Sequence, residues 1–362
     1  MPDLFSPIEI GGCQLPSRII MAPMTRGRAE DDYSPNEMMA EYYAQRASAG
    51  LIISEATCIS QQGYGWAHAP GVFTDHHEAG WKRVAEKVHR AGGRFFLQLW
   101  HMGRVVIPDF IDGGQPVSSS AVKAEGVMRN LEGEKKPYVT PKPLTIDEIE
   151  LVVEDYKNAA IRAISAGCDG VELHAANGYL VDQFLRDGVN QRTDEYGGSI
   201  PNRTRFLIEI VEALIDVVGS SKVGVRLSPT NAYNDMCDSN PEPLFKHVAE
   251  SLASLGIAYV HVIEPKPDSG HFLAADHTMV TPIIRKAFSG VLIHNGGYTY
   301  ESAQQAIQNG DADAIAFGLP FIANPDLPSR FKNNQQLSKP NTHLIYTHGA
   351  EGYIDYPEYV EA

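Results

Sequence analysis

One stretch of the sequence, residues 171–180, decides the fold: Val171-Glu172-Leu173-His174-Ala175-Ala176-Asn177-Gly178-Tyr179-Leu180. It begins as a short apolar run of the kind that forms a buried strand. It ends in a polar turn that carries His174, Asn177 and Tyr179. Because parallel α/β proteins place their chemistry where strands end, this stretch predicts a functional site at the carboxyl end of a parallel strand.

The rest of the chain repeats this alternation of apolar strand and amphipathic helix. The predicted strands cover residues 18–25, 51–57, 94–101, 170–176, 223–229, 259–264, 291–295 and 314–318. The predicted helices cover residues 35–48, 76–91, 145–166, 202–218, 241–255, 277–287, 299–309 and 324–333. Eight such units indicate an α/β fold, a closed (β/α)8 TIM barrel with the helices outside. An open doubly wound sheet is the rival, but no Gly-x-Gly-x-x-Gly motif follows the first strand.

One long segment, residues 101–143, interrupts this alternation after the third strand. It has little periodicity and is rich in Gly, Pro and Ser, so we predict an extended loop or cap beside the site. The helix that follows begins with Thr145 and Glu148 at capping-box spacing. We therefore predict a single TIM-barrel domain over residues 1–362, with this segment as its one large excursion.

The composition limits the class of protein. The 362 residues are 43% apolar and 21% charged, which is ordinary for a globular enzyme. A formal net charge of −15 argues against a nucleic-acid partner, and no apolar run is long enough to predict a membrane span. The four cysteines lie too far apart for a disulfide framework or a metal cluster. They are Cys13, Cys58, Cys168 and Cys237. With no secretory pattern at the start, we expect a cytoplasmic protein, either monomer or homodimer.

Polar residues concentrate at the predicted strand ends, where a barrel has its active site. They are Thr25, Gln98, Trp100, His101, His174, Arg226, Glu264 and Asn295. No strand-end lysine is available for a Schiff base, and His174 with Asn177 offers too few ligands for a metal. The carboxylates of Glu55 and Glu264 show no clear glycosidase pairing, although the sequence leaves that reading open. The remaining strand-end residues are mostly neutral hydrogen-bonding groups with one arginine. Such a set suits a ligand that is an uncharged polar ring system.

Glycines after the last two strands add a possible phosphate site. Asn295-Gly296-Gly297 follows the seventh strand, and Gly318 ends the eighth. Glycine lets backbone N–H groups approach a phosphate, and this is the usual phosphate position in a barrel. A plain turn is the alternative interpretation of the same residues.

Several motifs, in order along almost the whole chain, resemble those of one known family. They are Ala22-Pro23-Met24-Thr25-Arg26, Ala40-Glu41-Tyr42-Tyr43-Ala44-Gln45-Arg46-Ala47, Ile53-Ser54-Glu55-Ala56-Thr57, Gln98-Leu99-Trp100-His101, the stretch 171–180, Gln191-Arg192-Thr193-Asp194-Glu195-Tyr196-Gly197-Gly198-Ser199, Val225-Arg226-Leu227-Ser228-Pro229, Asn324-Pro325-Asp326-Leu327 and Gly352-Tyr353-Ile354-Asp355-Tyr356-Pro357. By these motifs the chain resembles the Old Yellow Enzyme family of flavin-dependent ene-reductases. The resemblance is greatest to its classical branch, in which Thr25 stands where a second branch has a flavin-contacting cysteine.

The resemblance implies an NAD(P)H-dependent flavin oxidoreductase that holds FMN non-covalently. NADPH or NADH would reduce the FMN, which would pass hydride to the β-carbon of an α,β-unsaturated carbonyl or nitro compound. Thr25 would hydrogen-bond the flavin O4, while Gln98 and Arg226 would contact its pyrimidine side, where positive charge stabilises the reduced flavin. The full set of implied cofactor residues is Pro23, Met24, Thr25, Ala56, Gln98, Arg226, Asn295, Gly296, Gly297, Gly318 and Leu319.

The same resemblance implies roles for the stretch 171–180. His174 and Asn177 would bind the substrate carbonyl, and Tyr179 would donate the proton to the α-carbon. Three aromatic residues would line the substrate pocket: Trp66, Trp100 and Tyr353. Each residue also has an ordinary structural interpretation, such as a hydrogen-bonded barrel-mouth histidine for His174. The placement of all these residues at strand ends favours the functional interpretation over the structural one.

One departure from the family concerns the phosphate. The family usually has an arginine directly after the glycine of the eighth strand, but here Leu319 follows Gly318. We therefore expect weaker retention of FMN than in relatives that keep the arginine. Two alternatives to a catalytic ene-reductase are a multidomain relative and a flavin-binding redox sensor. A multidomain relative would need a cluster of iron–sulfur cysteines, which this sequence lacks. The intact set of His174, Asn177 and Tyr179 argues against a redox sensor without catalytic activity.

Overall fold

The computed structural model describes residues 2–264 and 278–359, and within them it confirms the predicted barrel. The strands are β1 (Ile19–Met21), β2 (Leu51–Ile53), β3 (Phe95–Trp100), β4 (Gly170–Ala175), β5 (Val223–Leu227), β6 (Tyr259–Ile263), β7 (Leu292–Asn295) and β8 (Ala314–Phe317). Each pairs in parallel with the next, and β8 pairs with β1, so the sheet closes. All eight carboxyl ends therefore meet at one face of the barrel.

Helices follow the strands in the predicted order and pack outside the sheet. They are α1 (Glu37–Ala44), α2 (Asp75–Arg90), α3 (Ile146–Ser165), α4 (Leu180–Leu185), α5 (Ile200–Val218), α6 (Pro241–Leu255), α7 (Thr281–Ala287), α8 (Tyr300–Asn309), α9 (Leu319–Ala323) and α10 (Leu327–Lys332). The capping box of Thr145 and Glu148 is confirmed. The short helices α4 and α9 were not predicted. The helix predicted from His277 begins at Thr281, and His277 itself lies outside the described residues.

The barrel interior is apolar at its amino-terminal end. Phe96 and Tyr259 fill it together with small and branched side chains from neighbouring strands. Gly224 makes room for this layer, because a Cβ there would lie 2.2 Å from the Tyr259 ring. Large and small residues on adjacent strands thus interdigitate, as in other barrels of this class.

The interior changes character toward the carboxyl end. Inward positions on β3 to β7 carry polar side chains, namely Gln98, Glu172, His174, Arg226, His261 and Asn295. The matching region of β8 and β1 offers only Ala316 and Ala22. One half of the barrel mouth is therefore polar and the other apolar, which suits a flat ligand with one polar edge.

Residues 101–143 form the predicted extended loop or cap region, although they are not without regular structure. The segment contains two small ribbons, one pairing Val117–Ser118 with Lys142–Pro143 and the other pairing Val127–Arg129 with Lys135–Pro137. Its apolar residues, such as Val106 and Phe110, form a separate core with Trp100. These strands are too short to show periodicity in the sequence. No helix in the described ranges has the length and apolar character that a membrane crossing requires.

The histidine at the end of β3 makes folding stability depend on pH. His101 is fully buried, with Nδ1 accepting from the Gly103 N–H at 3.0 Å, and burial lowers its pKa from 6.5 to about 3. The unfolded chain therefore binds a proton below pH 6.5 that the folded chain does not, so stability falls as the pH falls. For this group the expected loss at pH 5 is on the order of 2 kcal/mol. His101→Asn keeps an acceptor for Gly103, and urea unfolding at pH 7.5 and pH 5 should show a smaller pH-dependent loss than wild type. An equal loss in both proteins would contradict the assignment.

Candidate active site

A cavity of about 500 Å³ opens at the carboxyl ends of the strands. Its size is that of a typical cofactor or ligand pocket. Of the residues predicted for the site, those that line it are Pro23, Met24, Thr25, Ala56, Trp66, Gln98, His174, Asn177, Tyr179, Arg226, Asn295, Gly296, Gly297, Gly318 and Leu319. The structure thus brings every predicted cofactor residue together with the three catalytic candidates.

Trp100 and Tyr353, predicted as pocket residues, do not line this cavity. Trp100 is buried behind the wall, where its ring meets the Tyr179 ring edge-on with centroids 5.1 Å apart. Tyr353 is buried at a different place, stacked on Tyr42 at 4.1 Å with the Arg26 and Arg28 guanidinium groups over its ring. The predicted substrate contacts of Trp100 and Tyr353 therefore stay predictions, and the Trp100 Nε1 and the Tyr353 hydroxyl have no hydrogen-bond partner among the described residues.

The sequence did not reveal three tyrosines that line the same cavity, Tyr233, Tyr298 and Tyr346. Tyr298 directly follows Gly297, so the glycine pair after β7 was a usable signal. Tyr233 and Tyr346 come from segments without periodicity. Tyr346 reaches the site because the buried guanidinium groups of Arg26 and Arg28 bind the backbone oxygens of its segment, and its ring lies 5.4 Å from that of Trp66.

The turn after β4 depends on two residues in the left-handed conformation. Asn177 has φ 59° and Gly178 has φ 77°. A Cβ at position 178 would lie 2.7 Å from both Asn234 and Met236, so only glycine fits. The turn places Tyr179 at the start of α4, and the Gly178 N–H donates to Asp182 at 2.8 Å. This local geometry is what brings Asn177 and Tyr179 to the cavity beside His174.

A chain of hydrogen bonds orients the side chain of Asn177. Asn231 Nδ2 donates to Asn177 Oδ1 at 3.0 Å, and Arg186 donates to the backbone oxygen of Asn231 at 2.8 Å. Arg186 is held in turn by a buried ion pair with Asp182 at 3.1 Å. Since the amide oxygen of Asn177 is occupied, its amide nitrogen is the group that can donate to a ligand.

His174 is buried beside the cavity and is electrically neutral. Burial lowers its pKa well below 6.5, and the nearby charge of Arg226 acts in the same direction. Its Nδ1 has no hydrogen-bond partner within the described residues. The ring lines the cavity, so it can offer a ring N–H to a ligand bound there.

Tyr179 is held between two rings. Its ring meets that of His174 edge-on at 4.8 Å on one side and that of Trp100 at 5.1 Å on the other. Burial raises the pKa of its hydroxyl well above 10, and the neighbouring tyrosines 233, 138 and 346 add to the effect. The phenol therefore keeps its proton at neutral pH.

The opposite wall presents groups for a polar ring edge. Arg226 donates to Asn295 Oδ1 at 3.2 Å, while its Nε is buried with no partner in the described part of the chain. Gln98 Nε2 donates to Glu172 at 2.7 Å, which leaves its Oε1 as an acceptor. Thr25 makes no side-chain hydrogen bond to another described residue. A hydroxyl, an amide oxygen and a guanidinium on the same cavity wall fit the alternating donors and acceptors of a flavin ring.

The two strand-end carboxylates are structural. Glu55 accepts from the backbone N–H groups of Arg26 and Gly27 and from the Tyr43 hydroxyl. Glu264 accepts from the backbone of residues 280 and 281 and from the hydroxyls of Thr230 and Thr281. Neither lines the cavity, so the glycosidase reading that the sequence left open is ruled out.

Among the described residues, the cavity is lined by neutral hydrogen-bond donors and one arginine, which suits the class of flavin-dependent oxidoreductases. A sequence model of the NADH:flavin oxidoreductase / NADH oxidase family matches residues 3–338, and the chain belongs to this family. It is an FMN-dependent enzyme that takes its electrons from NAD(P)H and acts as an ene-reductase.

Individual proteins agree with this assignment. The chain is 41% identical to a probable flavin mononucleotide-dependent alkene reductase of Leishmania infantum, over 98% of this chain and 97% of that one. Its fold matches an old yellow enzyme homologue of Zymomonas mobilis with a TM-score of 0.96 at 48% identity, covering 98% of this chain and 99% of the other. Morphinone reductase in complex with tetrahydroNAD matches with a TM-score of 0.93 at 46% identity, covering 99% and 98%.

Proposed function

We propose that this ene-reductase binds the carbonyl or nitro oxygen of an activated alkene on His174 and Asn177 and protonates the α-carbon from Tyr179. The observation that carries the proposal is the clustering of these three neutral donors on one side of the cavity. When bound, FMN supplies the chemistry of accepting hydride from NAD(P)H and transferring it to the β-carbon. The residues of the chain then bind, orient and protonate the substrate.

His174 and Asn177 stabilise the charge that develops on the substrate oxygen. Hydride addition at the β-carbon moves an electron pair onto that oxygen, and donors already in place lower the barrier. The position of both residues on the cavity wall supports this role, as does the Asn177 amide oxygen, which already accepts from Asn231 and so leaves the amide N–H group to donate. Because His174 is neutral, it donates a hydrogen bond without surrendering its proton.

Tyr179 completes the reaction by donating a proton to the α-carbon. Its hydroxyl belongs to the cavity wall, and its raised pKa keeps it protonated at neutral pH. The rings of His174 and Trp100 fix its position. Positioning and protonation state together are what a general acid requires.

The residues that would hold the FMN ring are Pro23, Met24, Thr25, Ala56, Gln98 and Arg226. Arg226 would supply positive charge to the ring, and Gln98 Oε1 would be available as an acceptor. The glycines at 296, 297 and 318 admit the phosphate end of the cofactor. In the described part of the chain, Arg226 is the one cation that lines the cavity, and it is engaged at the ring end by Asn295.

Leu319→Arg should therefore tighten FMN binding. Leu319 is 51% exposed at the cavity wall, so a longer side chain can replace it without disturbing the core. A charge-assisted hydrogen bond is worth about 1.5–3 kcal/mol, or roughly ten- to hundredfold in the dissociation constant of FMN. Equilibrium dialysis or fluorescence titration measures it. Leu319→Gln is the matched uncharged control, and riboflavin, which lacks the phosphate, should show no gain. Unchanged FMN affinity would mean that another group already supplies the charge.

The experiment that tests the function is direct. Purified protein reconstituted with FMN should show flavin absorbance and should oxidise NADPH in the presence of 2-cyclohexenone. Absence of flavin binding would overturn the assigned site. Flavin binding without alkene-dependent NADPH oxidation would instead favour a redox-sensing role.

The proposal also covers the cellular compartment, the substrate and the oligomeric state of the enzyme. The cysteines Cys13, Cys58, Cys168 and Cys237 are all free thiols. Free thiols are usual in a reducing compartment, which supports a cytoplasmic enzyme. The substrate is a small activated alkene, and the protein acts as a monomer or a homodimer.

A further inference from the structure

A buried, hydrogen-bonded pair of titratable side chains, Glu172 and His261, lies beneath the cavity, inside the barrel. Glu172 and His261 are both completely buried, and His261 Nδ1 donates to Glu172 Oε2 at 2.9 Å. The other carboxylate oxygen of Glu172 accepts from Gln98 Nε2 at 2.7 Å. Neither Glu172 nor His261 lines the cavity, so direct contact with a ligand does not explain them.

Strand register places this pair next to the groups assigned to the flavin. Glu172 on β4 lies opposite Gln98 on β3. Arg226 on β5 lies between His174 on β4 and His261 on β6. Gln98 and Arg226 form the cavity wall, and Glu172 with His261 forms the layer directly behind it.

The layer carries one negative charge opposite one positive charge. Burial tends to raise the pKa of Glu172, but its electrostatic and hydrogen-bond interactions with His261, and then the charge of Arg226, outweigh burial, and the pKa is lowered. Burial lowers the pKa of His261, so that ring is neutral at ordinary pH. An ionised Glu172 thus offsets part of the field that Arg226 exerts on whatever occupies the cavity.

We propose that Glu172 is a positioning residue that sets the reduction potential of bound FMN, with His261 holding its carboxylate in place. The inference rests on the proposed placement of FMN against Gln98 and Arg226. Two effects follow from the geometry. The hydrogen bond to Gln98 Nε2 fixes which end of that amide faces the cofactor, and the carboxylate charge makes reduction of FMN to an anion less favourable.

Glu172→Gln tests the electrostatic effect in the holoenzyme. The amide keeps an oxygen for Gln98 and a similar shape but removes the charge, so the reduction potential of bound FMN should become more positive. We expect at least a tenfold shift of the equilibrium toward reduced FMN, about 30 mV for a two-electron couple. Spectroscopic titration against a reference dye measures it. Asp238→Asn is the control, because it removes another buried carboxylate, the partner of Arg203 at 2.7 Å, away from the cavity.

A second variant keeps the inference testable if Glu172→Gln folds poorly. His261→Phe removes the partner that lowers the pKa of Glu172, so the carboxylate is less fully ionised and the potential should shift in the same direction by less. An unchanged or more negative potential in either folded variant, or an equal shift in Asp238→Asn, would overturn the inference while leaving the ene-reductase assignment intact. Failure of the wild type to bind FMN would overturn both.

Discussion

Tyr179→Phe should slow the reduction of an activated alkene by about 10²–10⁴-fold, the usual contribution of a positioned general acid. The reduction of FMN by NAD(P)H should remain close to the wild-type rate, since that half-reaction needs no proton on carbon. The edge-on contacts with His174 and Trp100 involve the ring and survive the change. Anaerobic stopped-flow absorbance measures each half-reaction separately, first with NADPH and then with 2-cyclohexenone.

Tyr346→Phe provides the control for this experiment. It removes one hydroxyl from the wall of the same cavity, from a side chain that is mostly exposed. We expect a change of only a few-fold in either half-reaction. Equal slowing of both half-reactions by Tyr179→Phe, or an effect of Tyr346→Phe as large as that of Tyr179→Phe, would show that Tyr179 is not the proton donor.

The pH profile adds an independent test of Tyr179. Because its pKa is raised well above 10, the phenol should stay protonated from pH 6 to pH 9. The alkene half-reaction should therefore show no decline that titrates in that range. A decline with a midpoint near pH 8 would mean that a group other than this phenol limits proton transfer.

Much of the barrel could be predicted because its signals are local. Apolar runs of strand length and the Thr145 capping box are each contained in a few residues. The polar strand ends were equally visible, and a closed parallel barrel necessarily brings them to one face. The turn at Asn177-Gly178 is also a local signal, because this dipeptide favours the left-handed backbone conformation that both residues adopt in the structure.

Other parts of the site could not be predicted, because they depend on contacts between distant residues. Tyr346 reaches the cavity only because Arg26 and Arg28 bind its segment from the opposite end of the chain. Tyr353 has the same aromatic character, yet it is buried against Tyr42. Nothing in the local sequence distinguishes the two. The pairing of Glu172 with His261 is similar, since the residues are far apart in the chain and meet only across the barrel interior.

His174→Ala should reduce the rate of alkene reduction by about 10²–10³-fold, the usual cost of losing one donor to a developing oxyanion. The loss arises because Asn177 alone would then stabilise the charge on the substrate oxygen. Phenol binding, detected as a long-wavelength charge-transfer band with the flavin, should weaken in parallel. Stopped-flow measurement of the alkene half-reaction and titration with a phenol give the two values.

His174→Asn distinguishes a neutral donor from a charged one. Burial and the charge of Arg226 keep the pKa of His174 well below 6.5, so the wild-type ring is neutral above that pH and contributes no titration near it. An asparagine is also a neutral donor and should recover a large part of the rate that alanine loses. If His174→Asn were as slow as His174→Ala, and wild-type alkene reduction accelerated as the pH fell through 6.5, the imidazolium would be the active form. Those results would contradict the neutral-donor mechanism. That mechanism requires only a neutral N–H group that stays in place while charge develops on the substrate oxygen, and asparagine provides such a group.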